Sequence, residues 1–128
     1  MNKKLLTALM TGAIVVLAAC GIRIGATPEP ITVTVKVTGN CQLDPTTIAV
    51  RVDQPVTIQF QNLSQQEHSF FIDELKVKVE KVQAGQTGTA SFTPTTVRTY
   101  TESGAYIFYC DAPGQGGTGM QGNLIVNP

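Results

Sequence analysis

Strict alternation of apolar and polar residues constrains the fold of this chain more than any other feature of its sequence. In ITVTVKVT, residues 31–38, isoleucine or valine occupies every odd position and threonine or lysine every even one. A period of two puts each set of side chains on its own face of an extended strand, so one face can be buried while the other meets solvent. The same alternation recurs at residues 48–52, 56–61, 75–80 and 90–93, and two more strands are predicted in GAYIFYC, which sets Tyr106, Phe108 and Cys110 on one face, and in NLIV near the end.

Turn residues separate these short segments, and no stretch after residue 30 has the period of a helix. Such a series of strands predicts an all-β fold, an antiparallel β-sandwich of about seven or eight strands. The chain has 128 residues, which is room for one domain of this kind. We therefore predict a single sandwich over residues 31–128.

The first 19 residues have the composition of an export signal. Two lysines precede an apolar run from Leu5 to Leu17, and small residues then lead to Cys20. The run is shorter than the roughly 20 apolar residues that span a bilayer. LAAC resembles a bacterial lipoprotein processing site, which implies cleavage before Cys20 and lipid on its sulfur. A plain secretory signal and an uncleaved anchor helix are the alternatives.

Residues 20–30 contain two prolines and no apolar periodicity, so they are predicted to be a lipidated tether. We expect an exported monomer that a lipid anchor holds to a bacterial membrane, facing the periplasm or the cell exterior. Removal of residues 1–19 leaves a formal net charge of minus two, and the basic residues are scattered. Because nucleic acid binding needs clustered positive charge, no nucleic acid partner is expected.

Three side chains with soft or borderline metal donors stand near predicted strand ends. His68 is the single histidine of the chain and begins an apolar stretch, Cys110 ends a strand, and Met120 follows in a glycine-rich loop. A thiolate, an imidazole and a weak axial thioether are donors of blue-copper electron-transfer sites. These residues therefore favour a metal site over a lone surface histidine.

Residues 31–128 resemble a cupredoxin, a member of the plastocyanin and azurin superfamily of small copper proteins. The resemblance rests on LDPTTIAVRVDQPVTIQFQN, on EHSF and on YCDAPGQGGTGMQGNLIV. It implies a Greek-key sandwich around one mononuclear copper site. Carried over residue by residue, it implies His68 as the first imidazole ligand, Cys110 as the thiolate and Met120 as the axial thioether.

The second histidine of the family pattern is replaced by Gln115. An amide oxygen is a harder and weaker copper donor than imidazole. The resemblance also suggests that Cys41 lies near this rim, where it is a candidate substitute ligand. Cys41, His68, Cys110 and Met120 would then favour copper(I), or zinc, over copper(II). A buried inert Cys41 and a Cys41–Cys110 disulfide remain as alternatives.

The resemblance implies a membrane-tethered carrier of single electrons with redox protein partners. A metal-free binding module is the first alternative, suggested by Gln115, and a copper(I)-handling protein is the second, suggested by the sulfur donors. No enzymatic role is predicted, because one histidine assigned to metal leaves no base for a serine or cysteine nucleophile.

Overall fold

The computed structural model describes residues 25–100, 104–111 and 121–128. The predicted signal, the lipidated Cys20, Gln115 and Met120 lie outside the described residues. Within them the chain forms one 3₁₀ helix, η1, and nine strands. The strands are β1 (Ile31–Thr38), β2 (Gln42–Asp44), β3 (Thr47–Arg51), β4 (Val56–Asn62), β5 (His68–Ile72), β6 (Val77–Val82), β7 (Thr87–Phe92), β8 (Tyr106–Asp111) and β9 (Gln121–Asn127); η1 is Asp73–Leu75. No helix in this part of the chain is long and apolar enough to cross a membrane.

The strands form two sheets. One has the order β2-β1-β4-β7 and the other the order β3-β9-β8-β5-β6. Alternate residues of β4, β5 and β8 are buried, because the inner faces of these strands meet in the interior. The predicted all-β sandwich is therefore confirmed, and its two apolar faces form one core.

The structure differs from the sequence-based expectation in three details. β2 has only three residues, which is too short for an alternation to be recognised, and it brings the described strands to nine. β6 begins at Val77, because Leu75 ends the 3₁₀ helix. The pairs β1–β4 and β3–β9 are parallel rather than antiparallel. Between the two strands of each parallel pair, the chain crosses to the opposite sheet. The two strands are therefore not joined by a tight hairpin, which would make them antiparallel.

The centre of the core is a row of three phenylalanine rings. Phe70 stands between Phe60 of the first sheet and Phe108, with ring centroids 5.5 Å apart in both pairs. The Phe108 ring lies over Gly122 of β9, where a Cβ atom would overlap the ring and approach the Thr46 carbonyl oxygen to 2.7 Å. Gly122 therefore has a packing role, since only a residue without a side chain leaves room for Phe108.

Candidate metal centre

Three separate elements bring donor side chains to one end of the sandwich. Cys41 lies in the turn between β1 and β2 with a backbone φ of 58°, His68 is the first residue of β5, and Cys110 is the fifth residue of β8. Each of the three has no solvent-exposed surface. The site therefore joins a turn of the first sheet to two neighbouring strands of the second.

The donor atoms of these side chains converge. Nδ1 of His68 lies 3.2 Å from Sγ of Cys41 and 3.5 Å from Sγ of Cys110. The two cysteines form a disulfide with their Cα atoms 5.6 Å apart, within the usual range of about 4.4–6.8 Å. This is the pairing that the sequence left open as an alternative. All three donor atoms lie within 4.8 Å of one another, which is compact enough for one ion to contact them.

The chemistry of this cluster fits copper when the cysteines are reduced. Two thiolates and one imidazole are soft and borderline donors, a set suited to copper(I) or zinc. Nδ1 of His68 faces the sulfurs, while the buried Nε2 has no hydrogen-bond partner among the described residues. For Nδ1 to bind a metal ion, Nε2 has to carry the ring proton.

A buried amide holds the turn that leads into His68. The Oδ1 atom of Asn62 accepts hydrogen bonds from the backbone N–H of Ser64 at 2.9 Å and from its hydroxyl at 2.7 Å. Its Nδ2 donates to the carbonyl oxygens of Gln66, at 2.6 Å, and Val82, at 2.8 Å. Val82 is also the strand partner of His68. Asn62 therefore connects β4, the following turn and β6 beside the histidine.

The start of β5 also contains a register shift. The pairing of β5 with β6 is irregular between His68 and Phe70, and Lys81 on β6 has a φ of 55°. The hydroxyl of Ser69 accepts a hydrogen bond from the Lys81 backbone N–H at 3.0 Å. Bulges of this kind change the direction of neighbouring side chains. The extra residue lies on β6, so Val79 and Val82 are both buried opposite Phe70 and His68, which the alternation of β5 already directs into the sandwich.

The opposite face of the same strands carries a different group. The ring of Tyr109 stacks on Phe71 with centroids 5.3 Å apart, and its hydroxyl donates to the Asp73 carboxylate at 2.9 Å. Partial burial raises the pKa of Tyr109, and the hydrogen bond to Asp73 and the nearby negative charge of Asp111 act in the same direction. This phenol is therefore neutral over an extended pH range, one residue away from Cys110.

The structure brings together three of the sequence-predicted site residues, Cys41, His68 and Cys110. Gln115 and Met120 lie outside the described residues, so their predicted roles stay predictions. Asn62 was not singled out from the sequence. Its sequence signal is the Asn-x-Ser pattern that begins at the last residue of a strand, which is typical of an Asx turn.

A model of the cupredoxin-like domain matches residues 7–126. The chain belongs to the cupredoxin-like family. The match covers nearly the whole sequence and includes part of the predicted signal. No curated protein matches the chain in sequence.

Solved structures support the same fold. Auracyanin A, a blue copper protein of Chloroflexus aurantiacus, is 22% identical with a TM-score of 0.59; the match covers 77% of this chain and 99% of that one. The metal-binding domain of the copper(I)-exporting ATPase CopA of Streptococcus pneumoniae is 16% identical with a TM-score of 0.58, covering 81% and 100%. A copper-containing nitrite reductase of Thermus scotoductus is 19% identical with a TM-score of 0.58, covering 79% and 28%. Because one fold serves such different proteins, function has to be argued from the site.

Proposed function

We propose that this chain is a copper(I)-binding cupredoxin of the bacterial cell envelope. The observation that carries the proposal is the convergence of the Cys41 and Cys110 sulfurs on Nδ1 of His68 at a fully buried point. In this interpretation, Cys41 supplies the donor that the missing second histidine would otherwise provide.

The donor chemistry favours the lower oxidation state of copper. Thiolates are soft ligands that select copper(I), and a set of two sulfurs and one nitrogen suits it better than copper(II). The CopA metal-binding domain, which has the same fold, is described with copper(I). When bound here, the ion would be held by Cys41, His68 and Cys110, and the protein would store or deliver it as copper(I).

Competition for copper(I) tests this function. The reduced full chain in detergent is titrated anaerobically with copper(I) against a chromogenic copper(I) chelator. We expect about one tightly bound ion, and at least tenfold weaker binding for Cys41→Ser, Cys110→Ser and His68→Ala. Tyr109→Phe is the matched control, because its side chain lies on the outer face of β8 and should leave the affinity unchanged. Equal affinity of Cys41→Ser and the parent chain would exclude Cys41 as a ligand.

Electron transfer is the second candidate function. It is favoured by the position of His68 and Cys110 on the hydrogen-bonded neighbours β5 and β8, a rigid arrangement that resists a change of ligand geometry. Auracyanin A has the same fold and is described as a blue copper protein. A redox protein partner would then dock at the end of the sandwich that carries the site.

A substitution at Gln115, which lies outside the described residues, distinguishes the two functions. If the site is a cupredoxin ligand loop with one donor exchanged, Gln115→His restores an imidazole and should create an intense thiolate-to-copper(II) absorption band. An equally intense band in the unchanged protein would favour the electron carrier over copper(I) handling. No copper uptake by a folded, reduced Gln115→His protein would contradict both functions.

The cellular location is proposed from the LAAC sequence and the proline-containing tether that follows it. Lipid on Cys20 would hold the domain at a bacterial membrane, facing the periplasm or the cell exterior. A lipid anchor sets location without contributing to the sandwich core, so Cys20→Ser should release a folded protein from membranes. Continued fractionation of Cys20→Ser with membranes would contradict the anchor.

A further inference from the structure

The geometry points to a chemical activity of the cysteine pair itself: in the dithiol form, Cys41 and Cys110 reduce copper(II) to copper(I) and become a disulfide. The two residues form that disulfide in the structure, with a Cα separation of 5.6 Å. Both sulfurs also lie beside Nδ1 of His68. The same two atoms thus serve as candidate copper donors and as a couple that can give up two electrons.

The two roles exclude each other. A sulfur in a disulfide is no longer a thiolate, and the thiolate is the metal ligand. Oxidation of the pair therefore removes two of the three donors of the cluster and leaves His68 as its one remaining donor among the described residues. Copper binding by Cys41 and Cys110 requires the dithiol, so copper occupancy and the disulfide are alternative states of one site.

The electron balance is complete with copper(II) as the oxidant. Each cysteine thiol gives one electron to a copper(II) ion and releases its proton to solvent, and the two sulfurs then form one bond. One dithiol and two copper(II) ions yield one disulfide, two copper(I) ions and two protons. The pair delivers two electrons once, and a further round needs an external two-electron reductant.

The fold favours this reaction over exchange with other thiols. Both sulfurs are fully buried, so another protein's thiol cannot reach either of them in this conformation. A metal ion bound to His68, by contrast, has both sulfurs as its neighbours. The turn that carries Cys41 and the strand that carries Cys110 already hold their Cα atoms at disulfide distance, so the bond can form within this fold.

This inference rests on the proposed copper(I) function, and its test separates the two. The full chain in detergent is reduced, freed of reductant under argon and mixed with two equivalents of copper(II). A copper(I)-specific chelator then measures the copper(I) formed, and mass spectrometry of alkylated peptides measures the peptide that links Cys41 to Cys110. Because only the peptide that links Cys41 to Cys110 is counted, lipidation or oxidation of Cys20 does not affect this measurement.

We expect about two copper(I) ions for each linked pair formed, since a dithiol is a two-electron couple. Cys41→Ser and Cys110→Ser should each lose the linked peptide and this stoichiometric yield. Tyr109→Phe should keep both, which excludes the phenol of the residue that precedes Cys110 as the source of electrons. The test does not depend on the variants folding, because the parent chain alone yields both measured products, copper(I) and the linked peptide.

Copper(II) that stays oxidised while both cysteines remain free would overturn the activity. Reduction of copper(II) to copper(I) without formation of the linked peptide would overturn it as well. If the reduced chain does not bind added copper(I) in the separate titration, the proposed copper(I) function is overturned. Reduction of copper(II) with disulfide formation would in that case still support the redox activity of the cysteine pair.

Discussion

Two adjacent layers of the sandwich interior have opposite chemistry although the same three strands build them. Phe60, Phe70 and Phe108 form the apolar layer on β4, β5 and β8. Two residues along each of these strands, on the same face, stand Asn62, His68 and Cys110, and the turn residue Cys41 completes this polar layer. Strand alternation thus positions both layers, while residue type alone decides what each can do.

The layers are also stabilised in different ways. The rings of the apolar layer need only shape and burial, since apolar contacts are not directional. Each polar atom of the second layer needs a partner, because an unpaired buried polar group costs about 1–3 kcal/mol. Asn62 has four hydrogen bonds and the cysteines have each other, whereas Nε2 of His68 has no partner among the described residues.

Truncation of the apolar layer should have the largest effect on stability. Phe108→Ala removes a fully buried ring that packs against Phe70 and Gly122, so it should lower the free energy of unfolding by about 3–5 kcal/mol. Denaturant unfolding measures the loss, and Ile107→Ala, at a neighbouring position that is 42% exposed, should change it by about 0.5 kcal/mol or less. Equal effects of the two substitutions would contradict the assignment of Phe108 to the core.

Opening the disulfide breaks the polar layer without removing any apolar group. Reduction of the Cys41–Cys110 bond should lower the free energy of unfolding by about 2–5 kcal/mol. Added copper(I) should restore part of that loss, because an ion that binds only the folded dithiol stabilises it by mass action. Cys41→Ser should lose the stability and show no recovery with copper(I). Unchanged stability on reduction would show that the bond is not a constraint in solution.

The apolar layer could be predicted from the sequence, and only part of the polar layer could. Alternation identified the buried sets of β4 and β8, including Phe60 and Phe108. His68 and Cys110 were assigned by resemblance to a family, since a lone histidine has no pattern of its own. Their proximity depends on the pairing of β5 with β8, which joins residues about 40 positions apart.

The position of Cys41 beside Cys110 could not be derived from spacing. The two are 69 residues apart, and Cys41 reaches the site from a turn with positive φ, where neither periodicity nor propensity indicates the direction of a side chain. The role of Asn62 was missed for a related reason. It continues the alternation of β4, and only the tertiary contacts to Gln66 and Val82 reveal that this position is a buried hydrogen-bonding centre.

Asn62→Ala should weaken the polar layer through the turn before His68. The loss of its hydrogen bonds, including the one that Nδ2 donates to the Val82 carbonyl oxygen, should lower the free energy of unfolding by about 1–3 kcal/mol. Copper(I) affinity should fall by about tenfold, the lower end of the effect of substituting residues that support metal ligands. Ser64→Ala is the matched control, since it keeps the Asn62 bonds to Gln66 and Val82 and should have a smaller effect on both measurements. If Asn62→Ala lowers the free energy of unfolding as expected but leaves the copper(I) affinity unchanged, Asn62 has a structural role only.

The smallest expected effect lies on the outer face of β8, where Tyr109 meets Asp73. Tyr109→Phe removes one exposed hydrogen bond and should lower the free energy of unfolding by about 0.5 kcal/mol, the lower end for a hydrogen bond. Because the pKa of Tyr109 is raised in the folded protein, folding favours the neutral phenol. Its contribution is fully present below the ordinary value of 10.0 and is lost as the pH rises through the higher folded-state pKa. Stability measured from pH 8 upward, to alkaline values where the protein still refolds, should therefore fall more steeply for the parent chain than for Tyr109→Phe. Parallel curves would show that the hydroxyl has no raised pKa in solution.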